Sequence, residues 1–392
     1  MSLSHRQRSA HKSVPDDEID IIALATACNV PEHLRREPPA KTVINNVHIF
    51  DGNKFSSPTS LVIVGGLISN APAAGAYNVV DGAGGYLIPG LIDSHCHITD
   101  CSYLTTMRQY GITTALDMGT YPYSALSACK VQGVTDIRGS GAAATVNGTA
   151  ISHAPGFPTD SFVSGPEAAQ RFVADRTAEG ADYIKVFLDT LGPDESTVAA
   201  IVTAAHEQNK LVISHATDHA AYAIAEAAGV DIPCHAPLDK PLDASDKAAL
   251  LLSKSVVVPT LIMMQSVTNN TGAPLSVYNN AAKASVTAMH KAGVPILAGS
   301  DANDSPFVPA NPPFGDSLHD ELELLVAAGL SPVEALWGAT STAASTFRLH
   351  DRGAIRTGLR ADLVLLRADP TVDIRNTRAI DKVWVEGVQA EL

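Results

Sequence analysis

The sequence predicts an α/β protein whose middle is the size of a TIM barrel and whose two ends join in a small β-domain. Three observations predict it. Through the middle, short apolar strand patterns alternate with helical patterns. At both ends, Val- and Ile-rich runs sit between turn signals. Apolar residues make up 45% of 392, enough for a large core.

Residues 1–40 are polar around a weakly helical IDIIALATACNV and are expected to form a partly ordered N-terminal extension. From Lys41 the pattern turns to strands at 42–50, 60–69 and 77–87, with Asp51-Gly52 and Gly65-Gly66 as turns. Eight candidate strands follow, at 91–97, 112–118, 136–142, 183–188, 211–215, 231–235, 256–261 and 295–299. Helical patterns between and after them cover 165–179, 194–208, 220–228, 276–292 and 317–328. Ser164, Asp194 and Ser331 read as N-terminal caps, and Gly180, Gly229, Gly293 and Gly329 as stops. Eight strand–helix units over roughly 250 residues match a TIM barrel. A doubly wound open sheet is the alternative, but the first strand-to-helix turn carries histidines where a dinucleotide fold wants a Gly-rich turn. Short strands return at 361–366 and 382–388. The expected division is an extension (1–40), a small β-domain (41–88 with 347–392) and a barrel (89–346).

The net charge of −14 argues against a nucleic-acid partner. No run reaches the length of a transmembrane helix, and the N-terminus lacks the apolar core of a signal peptide. The five cysteines are odd in number, irregularly spaced and without a CxxC, so no disulfide framework is expected. The expectation is a cytoplasmic, reducing location and a small-molecule partner. Cys96 and Cys234, each beside a histidine, are expected on the opposite strand face.

The chemistry gathers at predicted strand ends. LIPGLIDSHCHIT ends in His95 and His97, which alternation points to one side. Later strands deliver Lys185 (DYIKVF), His215 (LVISHATD), His235 (VDIPCHAPL) and Asp301 (ILAGSDAN). Imidazole with carboxylate suits zinc and its first-row neighbours. As an ammonium, Lys185 would repel a cation. It is either a neutral amine, a carbamate bridging two metals, or a structural lysine at the barrel end. His153, in the polar segment 146–161, is a candidate substrate contact or an exposed loop histidine. Loop 303–315, with four prolines and two phenylalanines, is expected to wall a pocket or to pack on a neighbouring subunit. Tyr121, Tyr123 and Thr217 lie just past strand ends and are pocket candidates.

PGLIDSHCH, DYIKVF, SHAT, the His235 segment and GSD together resemble the amidohydrolase superfamily, binuclear type. ELELLVAAGLSPVEALWGATSTAA followed by GAIRTGLRADLVLL resembles its imidazolonepropionase-like and zinc prolidase-like branch. The resemblance implies a (β/α)8 TIM barrel with a small β-sandwich domain formed from both ends of the chain. It implies two divalent metal ions, zinc by preference. His95, His97 and Asp301 would hold one, His215 and His235 the other, and Lys185 would bridge them as N6-carboxylysine. Pro233-Cys234-His235 departs from the Ile-Glu-His usual in the branch. The implied activity is hydrolysis of an amide C–N bond, in a peptide or N-acyl amino acid, by a metal-bridging hydroxide, with Asp301 moving the proton. Opening of a cyclic amide, and lactone or ester hydrolysis or a lyase reaction, are the alternatives. A non-catalytic binding protein is a further one. Homo-oligomers are expected from the resemblance.

Overall fold

The structure is a computed structural model that describes residues 38–188 and 191–392. The expected extension at 1–40 therefore lies, up to residue 37, outside the described residues. The strands in chain order are β1 (Lys41–Ile49), β2 (Thr59–Val64), β3 (Leu67–Ser69), β4 (Asn78–Pro89), β5 (Leu91–Cys96), β6 (Ile112–Asp117), β7 (Asp136–Gly139), β8 (Ile184–Phe187), β9 (Val212–His215), β10 (Ile232–Cys234), β11 (Leu363–Leu366), β12 (Ile380–Val385) and β13 (Val388–Gln389).

Both ends of the chain build one seven-stranded sheet, in the order β13-β12-β11-β4-β1-β2-β3. β4 is its long central strand, parallel to β1 and antiparallel to β11. The sheet is alternately patterned, so each face has its own core. Leu363 and Leu365 join Ile44, Ile63, Leu87 and Trp384 in one cluster, while Val364 and Leu366 join the large core of the main body. The sheet curls around the smaller cluster. Ala361 N–H bonds the Gly66 carbonyl at 2.8 Å and Gly387 N–H bonds the Ala361 carbonyl at 3.0 Å, which brings the β2–β3 and β12–β13 turns together.

The middle holds two parallel three-stranded sheets, β5-β6-β7 and β8-β9-β10. Isolated parallel bridges extend them: Ala144 with Val186, Cys234 with Val258, Val257 with Ile296, and Cys96 with Ala302. The expected strands at 256–261 and 295–299 are thus present only as bridged segments among the described residues. Ile92, Leu116, Ile213, Ile232, Val258 and Leu297, one from each of six strands or bridged segments, pack in a shared inner cluster. Their neighbours Leu91, Ala115, Val212, Val257 and Ala298 pack outward against the helices.

Most of the expected helices form. Gly165–Glu179 ends at left-handed Gly180. Asp194 caps Glu195–Glu207 through Thr197 N–H, and Ser331 with Glu334 makes a capping box for Pro332–Gly338. Ser164 makes no side-chain cap bond. The expected 276–292 helix divides into Leu275–Tyr278, a π segment Asn279–Lys283, and Ala284–Ala292.

The cysteine expectation is corrected. Cys101, just before the helix Ser102–Gln109, is disulfide-bonded to Cys129, just after the helix Tyr123–Ala128. The partners are 28 residues apart, so spacing carried no signal and only the packing of two helix ends pairs them. The argument for a reducing compartment from unpaired cysteines falls with it. No described helix is long and apolar enough to cross a membrane.

Candidate metal centre

The C-terminal ends of the parallel strands open into one cavity of about 1460 Å³. His95, His97, Lys185, His215, His235 and Asp301 all line it. Asp301 lies between the imidazoles. Its Oδ1 is 3.4 Å from His95 Nε2 and 3.1 Å from His97 Nε2, and its Oδ2 is 3.7 Å from His235 Nδ1. His95, His97 and Asp301 offer three ligand atoms within 4.8 Å of one another. The His215 and His235 rings are 4.5 Å apart, and His235 is 4.8 Å from His95.

Alternation places some of these groups and not others. Lys185 shares the inward face of β8 with Phe187, and His215 that of β9 with Ile213. Cys96 packs outward, as expected beside His95. Cys234 does not follow that expectation: with Ile232 it faces the inner cluster. His235 would then point outward, but its φ of 73° swings it into the cavity. Asp301 (φ 54°) and Thr260 (φ 44°) are left-handed as well. Three non-glycine residues in this costly region surround one site, each held by neighbours. His235 N–H bonds the Val258 carbonyl at 2.8 Å, and Asp301 N–H bonds the His95 carbonyl at 2.7 Å.

Partners the sequence reading did not single out fix these groups. Thr260 Oγ1 is 2.8 Å from His235 Nδ1, which turns Nε2 of that ring toward other company. Asp93 Oδ1 accepts from Ser300 N–H at 2.9 Å and His95 N–H at 3.2 Å, tying β5 to the segment that carries Asp301. Burial lifts the Asp93 carboxyl to about 6, against its hydrogen bonds from Ser300. Asp117 Oδ2 accepts from Ile98 N–H at 2.7 Å and so anchors the chain just past His97. A buried carboxylate in an apolar strand was the available signal for Asp93 and Asp117. Thr260 had none.

The electrostatics suit cation ligands. Burial, and then the charge of Lys185, hold His95 well below its usual pKa and bring His215 down to about 3. Burial and His215 do the same for His235. Neutral imidazole is the metal-binding form. Burial also lowers the Lys185 ammonium, against the opposing pull of Cys234 and Asp301. Lys185 is 1% exposed, and its Nζ has no hydrogen-bond partner. Neither has His235 Nε2. Unpartnered buried polar atoms among imidazoles and a carboxylate fit a centre that binds divalent cations.

His153 is not brought to this cavity. It is exposed at the end of the short 3₁₀ turn Ile151–His153, while its neighbours Ile151, Ala154 and Pro155 line the wall. Thr217 and Tyr121 line the cavity, whereas the Tyr123 hydroxyl bonds Asp182 at 2.8 Å. Loop residues 303–309 form another wall. His219 faces away, with Nε2 2.9 Å from Asp246 Oδ2.

A mixed α/β body of the TIM-barrel type, with imidazoles, a carboxylate and a lysine gathered at its strand ends, defines the class. The amidohydrolase family model matches residues 86–390, and the chain belongs to that family. A Xaa-Pro dipeptidase crystal structure with bound methionine superposes with a TM-score of 0.78 at 21% identity, covering 90% of this chain and all of that one. An adenine deaminase from Gluconobacter oxydans is 25% identical over 84% of this chain and 55% of its own. An imidazolonepropionase from Pyrobaculum arsenaticum is 28% identical over 47% of this chain and 43% of its own. The chain spans about half the length of these curated relatives.

Proposed function

We propose that the chain is a metal-dependent hydrolase of an amide-type C–N bond, in a peptide or N-acyl amino acid. The observation that carries the reading is the meeting of four imidazoles, Asp301 and the unpartnered Lys185 in a single cavity. Family membership supports it. The two three-stranded sheets and the bridged segments near 257 and 296 make one (β/α)8 barrel, and the curl of the seven-stranded sheet about its inner cluster makes the sandwich.

His95, His97 and Asp301 would hold one divalent ion, and His215 and His235 would hold a second. Lys185 would join the two sites as N6-carboxylysine: its burial favours the neutral amine, which would add carbon dioxide and release a proton, leaving a carbamate with one negative charge shared over two oxygens. When bound, two such ions, zinc by donor set, polarise a carbonyl and acidify water. The chain's own groups do the rest. Asp301 accepts the proton of the attacking water and delivers it to the leaving nitrogen. Thr260 orients His235, and Asp93 with Ser300 holds the His95 and Asp301 segments in register.

Ring opening of a small cyclic amide is the second reading, favoured by the likeness to the imidazolonepropionase. The test begins with the metal content of purified protein, where fewer than one ion per chain would sink the proposal. It continues with chelator-sensitive release of amino acids from dipeptide and N-acyl amino acid libraries. Loss of an ultraviolet-absorbing ring without amino-acid release would move the assignment to the cyclic amide. Lys185→Ala serves as the control.

A further inference from the structure

We infer that the cavity takes a neutral or cationic substrate with an apolar body, and turns away one that carries a free carboxylate into it. The bond to be broken rests on the reading above; the charge preference rests on the walls. Outside the centre itself, the charged residues of the lining are Asp100, Asp218, Asp239 and Asp304. Among the described residues no arginine lines the cavity, and Lys185 is the one lysine, buried within the centre.

The four carboxylates are fixed. Asp218 Oδ1 accepts from Ala221 N–H at 2.8 Å, Asp239 Oδ1 from His219 N–H at 3.0 Å, and Asp100 Oδ1 from Ser102 N–H at 2.7 Å. Asp304 takes the Thr99 hydroxyl at 2.8 Å and the Tyr103 hydroxyl at 2.9 Å. Every one of these donors is neutral, and no described Lys or Arg forms an ion pair with any of the four. Away from the centre, whose bound ions would themselves attract an anion, a substrate carboxylate placed along these walls would lie among like charges and find no guanidinium or free ammonium to pair with. An amine meets the opposite sign. Met263, Met264, Val267, Leu238 and Phe307 supply apolar wall for the rest of the molecule. Within the peptide and N-acyl amino acid class, this selects members whose carboxylate is blocked or stays outside the cavity.

The test measures equilibrium binding to the metal-replete protein by calorimetry, using N-acetylphenylalanine, N-acetylphenylalaninamide and phenylalaninamide. The amide and the amine are expected to bind on the order of tenfold or more tightly than the carboxylate. The gap is expected to narrow as salt is raised, on the unaltered protein. It should also narrow in the double variant Asp239→Asn with Asp304→Asn. Equal or tighter binding of the carboxylate, or binding by none of the three, overturns the inference. Turnover is read separately. If the preference holds but no amide is cleaved, the hydrolase reading fails and the charge inference stands.

Discussion

Asp301 sits within reach of three imidazoles through both carboxylate oxygens, and that geometry governs what its replacement should do. Asn keeps the shape and one neutral acceptor but cannot take a proton. Asp301→Asn is therefore expected to abolish turnover while much of the metal stays bound, read by elemental analysis beside an activity assay; near-normal turnover would remove Asp301 from its proposed role. Lys185→Ala removes the proposed bridge, and the expected outcome is a loss of metal, the second ion first. Gly299 is a packing prediction. A Cβ there would lie 2.5 Å from Val258 Cγ1, 2.9 Å from His95 Cβ and 3.0 Å from His95 N. Two of those atoms belong to a strand that cannot retreat without moving the centre. Gly299→Ala should cost about 1–3 kcal/mol, visible as a lowered denaturation midpoint, and should weaken metal binding as well.

At the scale of elements, the cavity wall behind β5 and β6 is stapled. The Cys101–Cys129 disulfide joins the start of one helix to the end of the next, and Cys129 lines the cavity. A crosslink spanning 28 residues restricts the unfolded chain by about 3–4 kcal/mol in the chain-entropy account. Reduction with dithiothreitol is expected to lower the thermal midpoint by several degrees; an unchanged midpoint with both thiols titratable would refute the contribution. Helix starts and stops were legible because their causes are local. Asp194 and Ser331 cap as the sequence reading had it, and Gly180, Gly229 and Gly293 take the left-handed stop. The break of the 276–292 segment was not legible, since the π turn at Asn279–Lys283 interrupts no periodicity and carries no proline.

For the whole molecule, the contact between the helix Asp316–Ala327 and the C-terminal turn Ile374–Arg378 sets an acid limit. His319 is fully buried there, between Thr377 Oγ1 at 2.9 Å and the Tyr110 carbonyl at 3.0 Å. Burial, and then the charge of Arg378, bring its pKa from 6.5 down to about 4. The folded state thus prefers the neutral ring more strongly than the unfolded state does. The stability at stake is fully present above about pH 6.5 and is lost as pH falls toward 4, up to about 3 kcal/mol for this one group. Denaturant titrations of the unaltered protein and His319→Gln between pH 4 and 7 should diverge in slope. The buried Glu321 works in the opposite sense, because burial lifts its carboxyl to about 8, and the comparison with the variant isolates the histidine.

By itself the sequence determined which side chains a period of two can aim. Lys185 and His215 reach the cavity because strands alternate and the apolar partners of each strand settle which face is inner, whereas His95 arrives out of step with inner Ile92, through the register shift between Asp93 and Cys96. Only the tertiary structure decided His235 and Asp301. Both enter through a left-handed backbone that nothing in their identity calls for, held by main-chain bonds to Val258 and His95 from strands distant in sequence. The same holds for the Cys101–Cys129 pair, for the turning away of His153, and for the acidic wall. Each depends on which loops meet in space, and loops carry no period from which that meeting can be read.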